Sequence, residues 1–163
     1  MALVAASLTA ELTTVFSGSN DSGAIAADKI ATAYDNYCKT AMAGIAVPIF
    51  TGMEKTVFAN TLAASLSSPQ GNANIVGMAF QNAAMSYWMV PPVNFSGGAA
   101  IGMVSAMAGV ASIGPSITTA LSAPNEAPVI AQLIATILDT ATRTVLVAFT
   151  APLPVPPPPA PLA

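Results

Sequence analysis

Histidine is absent from all 163 residues, which excludes base-activated serine chemistry, histidine-ligated zinc and imidazole acid–base work together. Charge is nearly as scarce, at 7% of residues against roughly 25% in an ordinary soluble domain. No charged side chain occurs from Thr56 through Asn125. The four basic residues, Lys29, Lys39, Lys55 and Arg143, are scattered, whereas a groove that tracks phosphates needs several together, so specific nucleic-acid binding is not expected. The single cysteine, Cys38, excludes an intrachain disulfide and, with no histidine to activate it, reads as a small buried hydrophobe. Neither the GxGxxG order nor a GK[ST] ending is present. The N-terminus lacks the basic flank and apolar core of a secretory signal. Aromatic residues make up only 6% of a chain that is 54% hydrophobic, so the apolar content is largely alanine. Small side chains let helices approach closely while burying little area apiece.

The remaining carboxylates do not suggest catalysis. Asp28 and Asp35 are spaced to share a helix face, Glu54 stands beside Lys55 at a helix start, and Asp139 and Arg143 form an i,i+4 pair. Capping and solvent-facing roles account for them. The methionines are dispersed as core gap-fillers rather than gathered as thioether ligands. The sequence implies no enzyme, no cofactor and no metal.

What the chain does carry is an approximate threefold pattern. With Phe16, Leu66 and Leu121 in register, 50 and 55 residues apart, each anchor is preceded by one helical turn to Leu12, Leu62 or Ile117 and followed by a polar turn. An isoleucine stands nine residues past each anchor (Ile25, Ile75, Ile130), and Tyr37, Tyr87 and Thr142 stand twenty-one past it. Apolar periodicity predicts long helices near 23–41, 72–88 and 128–143 and short ones near 5–16, 54–66 and 115–122. Asp21 or Ser22 caps the first long helix, Asn72 caps the second, and Pro128 fits the first turn of the third.

Extended segments follow the long helices at Ile45–Phe50, Val90–Phe95 and Val145–Phe149, two of them confined by proline to edge-like positions. The expected fold is mainly α: a compact bundle of three helix-turn-helix-like units with short extended connectors. Residues 1–151 form one domain, with repeats at 8–50, 58–95 and 117–149, and residues 152–163 form a polyproline-like C-terminal arm.

The uncharged stretch Gly97–Gly114 raises a transmembrane reading. Its glycines and its lack of flanking lysine, arginine, tryptophan or tyrosine favour instead a glycine-rich loop, or a loosely helical excursion, lying against a neighbouring subunit. Candidate interface residues are Tyr87, Trp88, Ile101, Met103 and Met107, with the arm residues Pro156, Pro157, Pro158 and Pro159 docking on an adjacent copy or, as the alternative, capping their own subunit.

The segment Phe58-Ala59-Asn60-Thr61-Leu62, a helix ending Tyr87-Trp88, Pro91-Pro92-Val93, the glycine-rich stretch and Ile117-Thr118-Thr119-Ala120-Leu121 together resemble small alanine- and threonine-rich virion structural proteins of tailed bacteriophages, over roughly residues 55 to 150. The resemblance implies a non-enzymatic component of a capsid, neck, tail or baseplate, located in the virion, whose partners are other copies of itself and neighbouring assembly proteins. It transfers no functional residue. The alternative from another class is a small membrane-active, lysis or secretion protein built on the apolar 97–123 segment.

Overall fold

The structure, a computed structural model, describes residues 3–20, 22–68, 72–97, 100–150 and 160–162. Among the described residues six helices form where the apolar periodicity places them: α1 (Ala5–Ser17), α2 (Gly23–Cys38), α3 (Met53–Leu66), α4 (Ala73–Met89), α5 (Val110–Ser122) and α6 (Ala127–Thr142). Ser22 accepts from the Ile25 N–H at 3.2 Å and Asn72 from the Ile75 N–H at 3.0 Å, so side-chain caps start α2 and α4. Pro128 stands in the first turn of α6, where its missing N–H leaves no hydrogen bond unmade. Helix α5 starts earlier than the periodicity indicates, so Pro115 lies inside it.

The expectation of short extended connectors is corrected by a five-stranded antiparallel sheet in the order β1 (Val47–Ile49), β2 (Asn94–Gly97), β3 (Ala100–Met107), β4 (Val145–Thr150) and β5 (Ala160–Pro161). The segment expected as a loop or helical excursion supplies the longest strand, β3. It has a period of two: Gly102 and Val104 turn inward while Ile101 and Met103 turn outward. Glycine is required at 102 because a Cβ there would meet the side chains of Phe149 and Val147 at 2.8 Å on the inner face. The register shifts between Val104 and Ala106, a bulge that returns Met107 to the inner face opposite Val145. Pro48 falls on the edge strand β1, as a residue without a ladder donor must.

Around the ring of helices, α1 packs on α2 and α6, α2 on α3, α3 on α4, α4 on α5, and α5 on α6. The C-terminal ends of α2, α4 and α6 lead into β1, β2 and β4, so the sheet gathers at one end of these three helices. Its inner face carries the buried Phe95, Val104, Val145 and Val147 and packs chiefly on α4. The strand β5 pairs with β4 of its own chain, Ala160 opposite Val147 and Pro161 opposite Leu146, and Leu162 is buried beside it. The end of the proline-rich segment therefore docks in cis. Pro156, Pro157, Pro158 and Pro159 lie outside the described residues.

Close helix contact depends on glycine at particular points. A Cβ on Gly77 of α4 would clash with the Gly114 carbonyl oxygen of α5, and one on Gly23 would clash with the Leu66 backbone at the end of α3. Alanine in place of an unconstrained helical glycine stabilises by up to about 1 kcal/mol. Gly77→Ala is expected to do the opposite and destabilise by about 1–3 kcal/mol, since the obstacle is backbone and the helices must separate. Urea unfolding measures it, and unchanged or increased stability would show that α4 and α5 are not in such contact.

Candidate functional site

The densest concentration of polar chemistry lies inside the helical ring. The C-terminal half of α2 places Tyr34, Asp35, Tyr37 and Cys38, the end of α4 places Tyr87 and Trp88, and α6 ends on Asp139 and Thr142, with Arg143 just beyond it. Spacings of three and four residues put Tyr34, Tyr37 and Cys38 on one face of α2, while Asp35 turns toward α4. The rings are in mutual contact. Tyr34 stacks on Phe58 with centroids 4.9 Å apart and meets Tyr87 edge-on at 5.2 Å; Tyr87 meets Trp88 at 5.3 Å, and Trp88 lies near-parallel to Phe95 on the sheet at 6.4 Å.

Each buried polar tip of these rings has a partner. Tyr87 donates to Asp35 Oδ1 at 2.8 Å, and Lys39 Nζ holds Asp35 Oδ2 at 2.6 Å. Tyr37 donates to Asp139 Oδ1 at 2.5 Å, and Arg143 Nε holds Asp139 Oδ2 at 3.0 Å. The Trp88 indole donates to Tyr34 Oη at 3.0 Å, and that oxygen shares a 2.7 Å hydrogen bond with Thr142 Oγ1. Arg143 also reaches the Leu3 carbonyl at 2.9 Å and so ties down the N-terminal segment. Two tyrosine–aspartate–cation chains thus run from core to surface, α4 to α2 and α2 to α6. Among the described residues no buried side-chain nitrogen or oxygen lacks a partner.

The electrostatics leave these groups chemically quiet. Burial pushes the Tyr37 and Tyr87 phenols far above their ordinary range, and the carboxylates of Asp139 and Asp35 add to it by accepting the protons in question. Burial likewise raises Tyr34 and holds the Cys38 thiol protonated. The Arg143 guanidinium is raised by its hydrogen bond to Asp139. With phenols and thiol held neutral and the carboxylates of buried Asp35 and part-buried Asp139 occupied by donors, this cluster presents neither a free base nor a nucleophile.

The other carboxylates have local duties. Glu54 is buried and accepts from the Thr51 and Gly52 backbone N–H groups at 3.1 and 2.9 Å, capping the start of α3. Asp28 is exposed and pairs with Lys55 at 3.2 Å, so it does not converge with Asp35. Among the described residues no group of three or more His, Cys, Asp or Glu side chains can hold a metal ion. Surface grooves of about 350 Å³, at Glu11, Val15, Lys29 and Ala33, and about 330 Å³, at Thr51, Met53 and Val57, touch none of the network residues.

The expected interface residues divide. Tyr87 and Trp88 are fully buried core and Met107 faces inward, so these three offer no surface to another subunit; Ile101 and Met103 stand exposed on the outer face of the sheet. Sequence reasoning missed Asp35, Asp139 and Tyr34 as members of one network. A signal was present: both aspartates precede a cation by four residues on otherwise apolar faces, and Tyr37, Tyr87 and Thr142, in register along the sequence, all meet here. No helix among the described residues is long and apolar enough to cross a membrane, and the 97–123 segment divides between the end of β2, β3 and α5. Comparison with protein-family models, curated proteins and solved structures finds no match to this chain.

All three tyrosines of the protein belong to this cluster. Their folded pKa values are raised above the unfolded value near 10, so their contribution to stability is complete below about pH 10 and is lost as the pH climbs beyond it, because only the unfolded chain releases the protons. Phenolate absorbance near 295 nm is expected to stay flat until the protein unfolds in alkali, then to rise in one step coincident with loss of the helical dichroism signal. Phenolate forming with a midpoint near pH 10 while the dichroism is intact would contradict the buried network.

Proposed function

We propose that this chain is a non-enzymatic structural subunit of a large protein assembly, and, following the resemblance of its sequence, of a virion. The observation that carries the reading is the distribution of apolar surface. Val47, Ile49, Met53, Met78, Met85, Val90, Ile101 and Met103 are exposed, and the last five lie within the run from Thr56 to Asn125 that carries no charged side chain. A subunit that works alone in water does not ordinarily leave apolar groups so poorly surrounded by charge, whereas one covered by neighbours does.

The polar core supports the same reading. Its carboxylates and phenols are spent on holding helices together, which suits a rigid building block. The partners are other copies of the chain and neighbouring assembly proteins, and the location is the particle. Fractionation of the producing cells tests this: the chain is expected in high-mass particles that survive detergent. Recovery solely in detergent-extracted membranes, or solely as free low-mass protein, would overturn the proposal.

A further inference from the structure

The outer face of the sheet is a surface that none of the described elements covers. Its outward positions form two rows across the strands, Val47, Ser96, Ile101 and Thr150 in one and Ile49, Asn94, Met103 and Ala148 in the next. None of these is charged. Four are large apolar side chains left about half in water: Val47 at 49% exposure, Ile49 at 52%, Ile101 at 59% and Met103 at 48%. An antiparallel sheet can present one face to solvent, but such a face is ordinarily polar along its alternate positions. Here Val47 and Ile49 of β1 and Ile101 and Met103 of β3 are apolar instead.

We infer that this face binds the same face of a second copy of the chain, sheet on sheet. Three observations select this occupant. First, the edges of the sheet are poor sites for adding a strand: β1 carries Pro48 at its centre and β5 is two residues long with Pro161 in it, so association through the sheet is left to the face. Second, a two-fold pair sets the same patch against itself, and a face without charged side chains meets its copy with no like-charge repulsion to overcome. Third, the area fits a weak, repeated contact. The five strands hold 3, 4, 8, 6 and 2 residues, which at about 3.4 Å along and 4.8 Å across each give about 370 Å² per copy and about 750 Å² for the pair. That lies below the size of stable binary interfaces, as suits a contact repeated many times within an assembly. Two such faces would stack about 10 Å apart with Ile101 and Met103 of the central strand at the middle of the contact. The inference deepens the assembly reading by naming the partner.

Sedimentation velocity over a range up to about 100 μM tests it. The intact protein is expected to shift from one to two chain masses with rising concentration. Ile101→Lys with Met103→Lys is expected to hold it at one mass with its helical dichroism unchanged, while Met53→Lys, on α3 outside the sheet, leaves the shift intact. Should the double lysine variant fail to fold, Ser96→Arg with Thr150→Arg places charge on the same face at positions that are already polar. An intact protein that stays at one mass throughout, or folded face variants that still double, would overturn the pairing. A chain that remains single in solution yet is recovered in particles would defeat the pairing alone and leave the assembly reading standing.

Discussion

A phenol cannot enter a protein interior without an acceptor, and this chain has few charged groups with which to provide one. The solution is to place the two aspartates of α2 and α6 where each takes a tyrosine hydroxyl from a neighbouring helix and is balanced from outside by the cation four residues later. A buried polar group left unpaired costs on the order of 1–3 kcal/mol, and several would be left at once if α2, α4 or α6 turned or slid. An apolar contact tolerates such slippage; these hydrogen bonds do not. The helices are therefore fixed in rotation and in register, and everything attached to their ends inherits that placement.

What is attached is the sheet. Because α2, α4 and α6 each run out into a strand, fixing their C-terminal ends brings β1, β2 and β4 within pairing distance, and the Trp88–Phe95 contact joins the aromatic core to the inner sheet face. Alanine and glycine make the helical part possible by allowing backbones to approach. They also leave large side chains to be concentrated in the one place where the network lies. The same economy of large and charged residues leaves the outer sheet face apolar and neutral.

The helices were legible because their apolar stripes recur at three and four residues, and the caps because Ser22 and Asn72 precede them directly. The sheet was not. Prolines in the segments after α2 and α4 suggested isolated extended pieces, and the glycines of β3 obscured an alternation that depends on Gly102 occupying an inward position too crowded for any side chain. The pairing of β3 with β4 joins segments far apart in sequence, which local periodicity cannot report. Of the central network, the equivalence of Tyr37, Tyr87 and Thr142 was visible in the repeat register. That these positions join one buried cluster, and that Tyr87 and Trp88 are core rather than surface, follows only from the closed ring of helices.

The central claim is that the tyrosine, tryptophan and aspartate network is the last part of the molecule to open. The Trp88 indole proton, donated to Tyr34 in a fully buried position, reports on it directly. Native-state hydrogen exchange at that proton should proceed only through global unfolding, with an exchange free energy equal to the unfolding free energy from urea denaturation. Exchange through a local opening well below the global value, with the helical amides still protected, would contradict the account.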